Sequence, residues 1–75
     1  MQVTIYYFAY LRERRGLSKE VRALTAPLTV EELFRGVFGS EMRGIRFSIN
    51  HEFVDRDQVL EDGDEVAFIP PVGGG

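Results

Sequence analysis

The sequence predicts a two-layer α+β domain, a mixed sheet packed on one main helix. Three observations carry this. Residues 2–8, 17–24, 45–50 and 65–69 alternate apolar and polar side chains with the period of two expected of a half-buried strand. Residues 29–39 instead carry apolar side chains at helical spacing. And 75 residues make one domain, which buries only about 60% of its unfolded surface, so sheet and helix must share one core.

The first strand, 2–8, sets Val3, Ile5 and Tyr7 on one face and Gln2, Thr4, Tyr6 and Phe8 on the other; the odd face reads as core. Ala9 to Arg15 is rich in helix formers and stops at Gly16, which fits a short helical turn or loop. In 17–24 the alternation is looser, with Leu17, Val21 and Ala23 on one side. Lys19, Glu20 and Arg22 mark it as an edge strand guarded against unwanted pairing. The helix has the clearest signal. Thr29 and Glu32 form a capping box, Leu28 and Leu33 a hydrophobic staple across it. Val30, Leu33, Phe34, Val37 and Phe38 make the apolar stripe, and Gly39 is the stop. Gly36 within the stripe costs about 1 kcal/mol against alanine, which points to close packing there.

Ile45, Phe47 and Ile49 alternate with Arg46, Ser48 and Asn50 in the third strand, and a short piece at Phe53-Val54 pairs with it around His51-Glu52. Asp62-Gly63 is a turn. The last strand sets Val66 and Phe68 against Glu65, Ala67 and Ile69; Pro70, without an amide hydrogen, ends its pairing. The order is strand, strand, helix, strand, short strand, strand.

Composition excludes several functions. A net charge of −3 without a lysine-rich block argues against nucleic acid as a partner. The small cluster Arg12, Arg14 and Arg15 reads as a solvated face. No apolar run approaches 18 residues and the N-terminal residues lack a signal-peptide pattern, so no membrane partner is expected. The absence of cysteine removes thiol chemistry and thiolate metal sites and points to the cytoplasm. Glu61, Asp62, Asp64 and Glu65 read as a solvated acidic turn that steers a basic partner, not a metal site. His51 reads as a surface turn residue and Asp55 and Asp57 as loop residues.

The terminal Gly73-Gly74-Gly75 neither packs nor catalyses. It suits a reactive carboxylate on a thread thin enough for a narrow channel. The domain is therefore read as 1–69, followed by a flexible tail of 70–75 that reaches about 20 Å at most. Residues 60–75, Leu-Glu-Asp-Gly-Asp-Glu-Val-Ala-Phe-Ile-Pro-Pro-Val-Gly-Gly-Gly, resemble the C-terminal signature of the small, MoaD-type subunit of molybdopterin synthase. Phe8-Ala9, Leu11-Arg12-Glu13 and Gly16 resemble that family's first strand and loop. Thr29-Val30 with Leu33, and Asn50, also match.

The resemblance implies a β-grasp (ubiquitin-like) fold with four or five strands. It also implies sulfur carriage: an E1-like adenylyltransferase adenylates Gly75, and a sulfur donor protein converts it to a thiocarboxylate. The tail then enters the large synthase subunit, in a heterotetramer, and delivers sulfur to cyclic pyranopterin monophosphate. No cofactor is expected on this chain; ATP and magnesium act in the adenylating partner. Gly73 and Gly74 would thread with Val72, while Pro70 and Pro71 project the tail. The resemblance further implies that the first and last strands are parallel neighbours, which brings Phe8 and Ile69 to the outer face at the tail's root. Phe53 takes the third position of the family's hydrophobic patch and Arg12 an interface position. A ubiquitin-like protein modifier, and a carrier for thiamine or tRNA thiolation, use the same tail chemistry and remain alternatives.

Overall fold

In the computed structural model, which describes residues 1–40 and 43–71, the order is β1 (Gln2–Tyr7), α1 (Ala9–Arg15), β2 (Lys19–Ala23), α2 (Val30–Phe38), β3 (Arg46–Ile49), β4 (Glu52–Val54) and β5 (Glu65–Ile69). The strands form one sheet in the order β2-β1-β5-β3-β4. β1 and β5 are parallel, with Tyr7 opposite Phe68; every other neighbouring pair is antiparallel.

The period of two divides the sheet into a covered and an open face. Val3, Ile5 and Tyr7 of β1, Phe47 and Ile49 of β3, and Val66 and Phe68 of β5 are buried in one core with Val30, Leu33 and Phe34 of α2. Phe68 is its hub. Its ring lies 5.0 Å from Phe34, 5.8 Å from Phe47, 5.9 Å from Tyr7 and 6.3 Å from Phe38, all edge-on. Such pairs add about 0.5–1.5 kcal/mol each beyond the area they bury.

The helix starts as its sequence dictates. Glu32 N donates to Thr29 Oγ1 at 3.1 Å and Thr29 N to Glu32 Oε1 at 2.8 Å, and Gly39 closes α2 in the left-handed region. Gly36 departs from expectation. It is exposed and a Cβ there would meet nothing, so the glycine marks no close packing. Ala9–Arg15 is a helix with Leu11 buried and Gly16 left-handed at its end.

β2 lies at the sheet edge, as expected, but its sidedness follows register. Antiparallel pairing sets Glu20 opposite Ile5, Arg22 opposite Val3 and Val21 opposite Thr4. Glu20 and Arg22 therefore share the helix side, while Val21 stands 60% exposed on the open face and Leu17 is exposed as well. Glu20 is compensated: it accepts hydrogen bonds from the buried Tyr7 hydroxyl and from Arg15 Nε (2.8 Å) and Nη2 (3.1 Å). The hydrogen bonds from Arg15, with a smaller part from Tyr7, outweigh burial and hold the Glu20 carboxyl below its ordinary range. Burial, and then Glu20, push the Tyr7 hydroxyl well up.

The end of the sheet opposite the tail is tied by side chains. Asp64, expected in a solvated turn, is buried. It accepts from Asn50 Nδ2 at 3.0 Å and from Glu61 N at 2.7 Å. Glu65 N donates to Asn50 Oδ1, and Gln2 N to Asp62 Oδ1. The acidic run thus fastens β1, β3 and β5 at one corner. Asn50 and His51, both at positive φ, form the two-residue turn between β3 and β4.

Gly36→Ala is expected to stabilise the domain by about 0.5–1 kcal/mol, because nothing opposes the new methyl and the helix loses its most flexible residue; a rise in the urea midpoint at unchanged slope checks this. Glu20→Gln has the opposite effect. A depressed folded-state pKa gives stability that is complete above the unfolded value, near 4.3, and is lost as pH falls through the folded value. The variant should be less stable at pH 7 and show a shallower acid limb in a pH series of urea titrations.

Candidate functional site

The sheet's open face ends where β5 runs out toward the tail. Because β1 and β5 are parallel, α1 leaves the sheet at that same end. Phe8 follows Tyr7, one position past the Tyr7–Phe68 pair, and so stands beside Ile69 in register. The left-handed Ala9 (φ 52°) turns the chain into α1 directly after it. Phe8 is 47% exposed, Phe53 60% exposed and Ile69 half-buried, all on the open face. The fold therefore sets the three expected patch residues on one surface.

They do not share one pocket. Phe8 lines a small apolar cleft of about 120 Å³ with Tyr6, Ser48 and Ala67, rimmed by His51 and Glu65. Phe53 lines a wider groove of about 560 Å³ at the other edge with Ile45, Arg46 and Arg56. Between them lie the short side chains of Ala67 and Ser48, paired across β5 and β3, which keep the floor shallow. Arg46, opposite Ile69, places its guanidinium 3.9 Å from the Phe53 ring centroid. Arg46, Ala67 and Tyr6 were not singled out from sequence. Their parity in the alternation marks them as open-face residues, but only the register shows them as neighbours of Phe8 and Phe53.

The basic cluster divides into three roles. Arg12 is exposed, Arg14 lies 5.9 Å from the Phe38 ring centroid, and Arg15 is held by Glu20. His51 is an exposed turn residue, 3.4 Å from Glu65. Glu65 N is bonded to Asn50. The acidic segment is thereby committed to the fold.

Of the expected tail of 70–75, Pro70 and Pro71 are described. Pro70 is buried, and Pro71 packs on Gly44, where a Cβ would stand 3.2 Å from Pro71 Cγ. Pro70 thus belongs to the packing of the domain, while Pro71 is exposed and lies against Gly44 at its surface. Val72, Gly73, Gly74 and Gly75 lie outside the described residues. No helix among the described residues is long and apolar enough to cross a membrane.

A mixed sheet with a parallel β1–β5 pair, packed on α2, defines a ubiquitin-like β-grasp protein. Residues 5–75 match the model of the ThiS family, and the chain belongs to that family. It is 35% identical over 83 residues to a Chlamydomonas reinhardtii protein named molybdopterin synthase sulfur carrier subunit, with all of both chains covered. A solved Pyrococcus furiosus structure, described as a candidate molybdopterin converting factor subunit 1, is 27% identical. It superposes with a TM-score of 0.82, covering 96% of this chain and 99% of its own. The complex of subunits 1 and 2 of molybdopterin-converting factor from Helicobacter pylori contains a chain that shares the fold at 21% identity. Its TM-score is 0.66, with all of both chains covered.

Gly44 tests the seating of the tail root. Gly44→Ala is expected to cost about 1–2 kcal/mol, since alanine meets the left-handed conformation (φ 77°) and the new methyl crowds Pro71. Chemical denaturation measures the cost, and the Pro71 ring resonances should shift in an NMR spectrum of the variant.

Proposed function

We propose that this chain is the sulfur carrier subunit of a molybdopterin synthase, with the carboxylate of Gly75 as the group that carries sulfur. The observation that supports this best is the tail's root: β5 passes through a buried Pro70, beside the exposed Phe8, into the sequence Pro71-Val72-Gly73-Gly74-Gly75.

A carboxylate is a poor electrophile. In the proposed cycle a Gly75 oxygen attacks the α-phosphorus of ATP in an E1-like adenylating partner that holds the magnesium, and pyrophosphate leaves. A persulfide of a sulfur donor protein then attacks the acyl carbon and AMP leaves. Reductive cleavage of the acyl disulfide by a donor-side thiol gives the thiocarboxylate and a disulfide. This chain, without cysteine, supplies the acyl group but not the thiol. In the large synthase subunit the thiocarboxylate sulfur would displace an oxygen from a carbon of cyclic pyranopterin monophosphate, and water would then cleave the acyl–sulfur bond, leaving sulfur on the pterin and returning the Gly75 carboxylate. Gly73 and Gly74 let the backbone run close to channel walls, with Val72 joining them to the prolines. The open face around Phe8, Ile69 and Phe53 is the docking surface, with the exposed Arg12 of α1 as a further contact.

Intact mass spectrometry after incubation with ATP, the cognate adenylating enzyme and a sulfur source should show a mass gain equal to replacing one oxygen by sulfur. Deleting Gly75 should abolish it. Conjugates on other proteins would favour the protein-modifier reading, and neither product would overturn both. Phe8→Asp should leave the thermal unfolding midpoint within about 2 °C and weaken binding to the large subunit by at least tenfold, about 1.4 kcal/mol. Calorimetric titration with the large subunit reads it.

A further inference from the structure

The edge strand β2 carries a feature that neither the tail nor the open-face patch uses. Tyr7 N donates to Ser18 O at 3.0 Å and Leu24 N to Met1 O at 2.7 Å. In an antiparallel ladder the hydrogen-bonded pairs alternate. Ser18, Glu20, Arg22 and Leu24 therefore direct their main-chain groups to β1, while Lys19, Val21 and Ala23 direct theirs outward. Among the described residues no strand pairs with that side. The exposed Val21 stands at its centre.

We propose that β2 pairs antiparallel with β2 of a second copy of this chain, about a two-fold axis at Val21, joining the two sheets into one. The pattern Lys19-Glu20-Val21-Arg22-Ala23 is self-complementary about its centre. With Val21 opposite Val21 of the second copy, Glu20 faces Arg22 and Lys19 faces Ala23. Val21 with its mate, and Lys19 with Ala23, become hydrogen-bonded pairs through the outward main-chain groups. Glu20 and Arg22 meet as close cross-strand pairs of opposite charge on the helix side.

Register supports this pairing against its neighbours. The outward groups allow slips only in steps that keep odd residues opposite odd residues. One such slip sets Glu20 opposite Glu20, the other Arg22 opposite Arg22, and both oppose like charges. Glu20 also has room for a further donor. Of the roughly four hydrogen bonds a carboxylate can accept, Oε1 accepts from Tyr7 and Arg15, and Oε2 from Arg15 alone. The charges that guard this edge against arbitrary strands thus match one partner, the same strand in reverse.

The joined sheet leaves Phe8 and Ile69 on the open face, away from the paired main-chain edge of β2, so the dimer is compatible with the proposed docking. A contact of five residues on each side is smaller than a standard protein interface, and association is expected only at high concentration.

Sedimentation velocity on the full chain, from about 10 µM to about 1 mM, should show a monomer–dimer equilibrium. Val21→Pro removes an outward amide that β1 does not use, and Arg22→Glu sets a carboxylate opposite Glu20. Each should raise the dimer Kd at least tenfold, with the β1 amide resonances retained as the check on folding. Should Val21→Pro disturb the fold, Arg22→Glu decides. Phe8→Asp should leave the equilibrium unchanged. A chain monomeric throughout this range overturns the proposal. So does a dimer insensitive to Arg22→Glu, or one lost with Phe8→Asp.

Discussion

The parallel pairing of β5 with β1 governs the molecule. Once Phe68 stands opposite Tyr7 on the covered face, the period of two sends Ile69 to the open face. Phe68 then closes the aromatic cluster with Phe34, Phe38, Phe47 and Tyr7, and the chain reaches Pro70 two residues later. Core formation and tail placement are thus consecutive positions of one strand. A residue inserted in β5 would move Phe68 out of the core and Ile69 into it. The same pairing brings α1, with Phe8 at its start, to the tail's end of the sheet.

The two ends of the sheet divide the work. At the far end, Asp64, Asn50 and Asp62 spend their polar atoms on main-chain and side-chain partners and hold β1, β3 and β5 in register. A buried carboxylate is costly unless its acceptors are used, and Asp64 uses both oxygens. The tail's end is fixed differently, by packing: Pro70 is buried, and the exposed Pro71 lies against Gly44. Polar fastening at one end leaves the other free to expose Phe8 without loss of register.

What was legible in the sequence was what local periodicity encodes. The alternation of Val3, Ile5 and Tyr7, the Thr29–Glu32 box and the Asp62-Gly63 turn each follow from residues a few positions apart. What was not legible needed register. In β2 the apolar Val21 faces outward because Thr4, not Ile5, is its partner, and no property of residues 17–24 alone contains that pairing. Asp64 looked solvated among its acidic neighbours because Asn50, which satisfies it, lies 14 residues away in sequence. Gly36 looked structural only because a glycine in a helix usually has a reason; the space around it supplies none. At the candidate site, Phe8 and Ile69 were legible as apolar residues on polar faces. Arg46, stacked on Phe53 and opposite Ile69, emerges only when β3, β4 and β5 are aligned.

The topology also polarises charge. α1, residues 9–15, holds three arginines against one glutamate, whereas the turn before β5, residues 61–64, holds three acidic groups and no basic one. Parallel β1 and β5 place α1 at the tail's end and the turn before β5 at the opposite end. The exposed Arg12 therefore stands at the end where the tail leaves, and Glu61 and Asp62 at the other. A separation of this kind orients a small protein in the field of its partner before any contact forms and acts on the rate of encounter more than on its strength. In the proposed docking, apolar contact at Phe8 and Phe53 would discriminate only after the surfaces meet. In the proposed docking, charge that presents the tail's end first and an apolar surface that holds it afterwards would be separable contributions, one weakened by salt and the other indifferent to it.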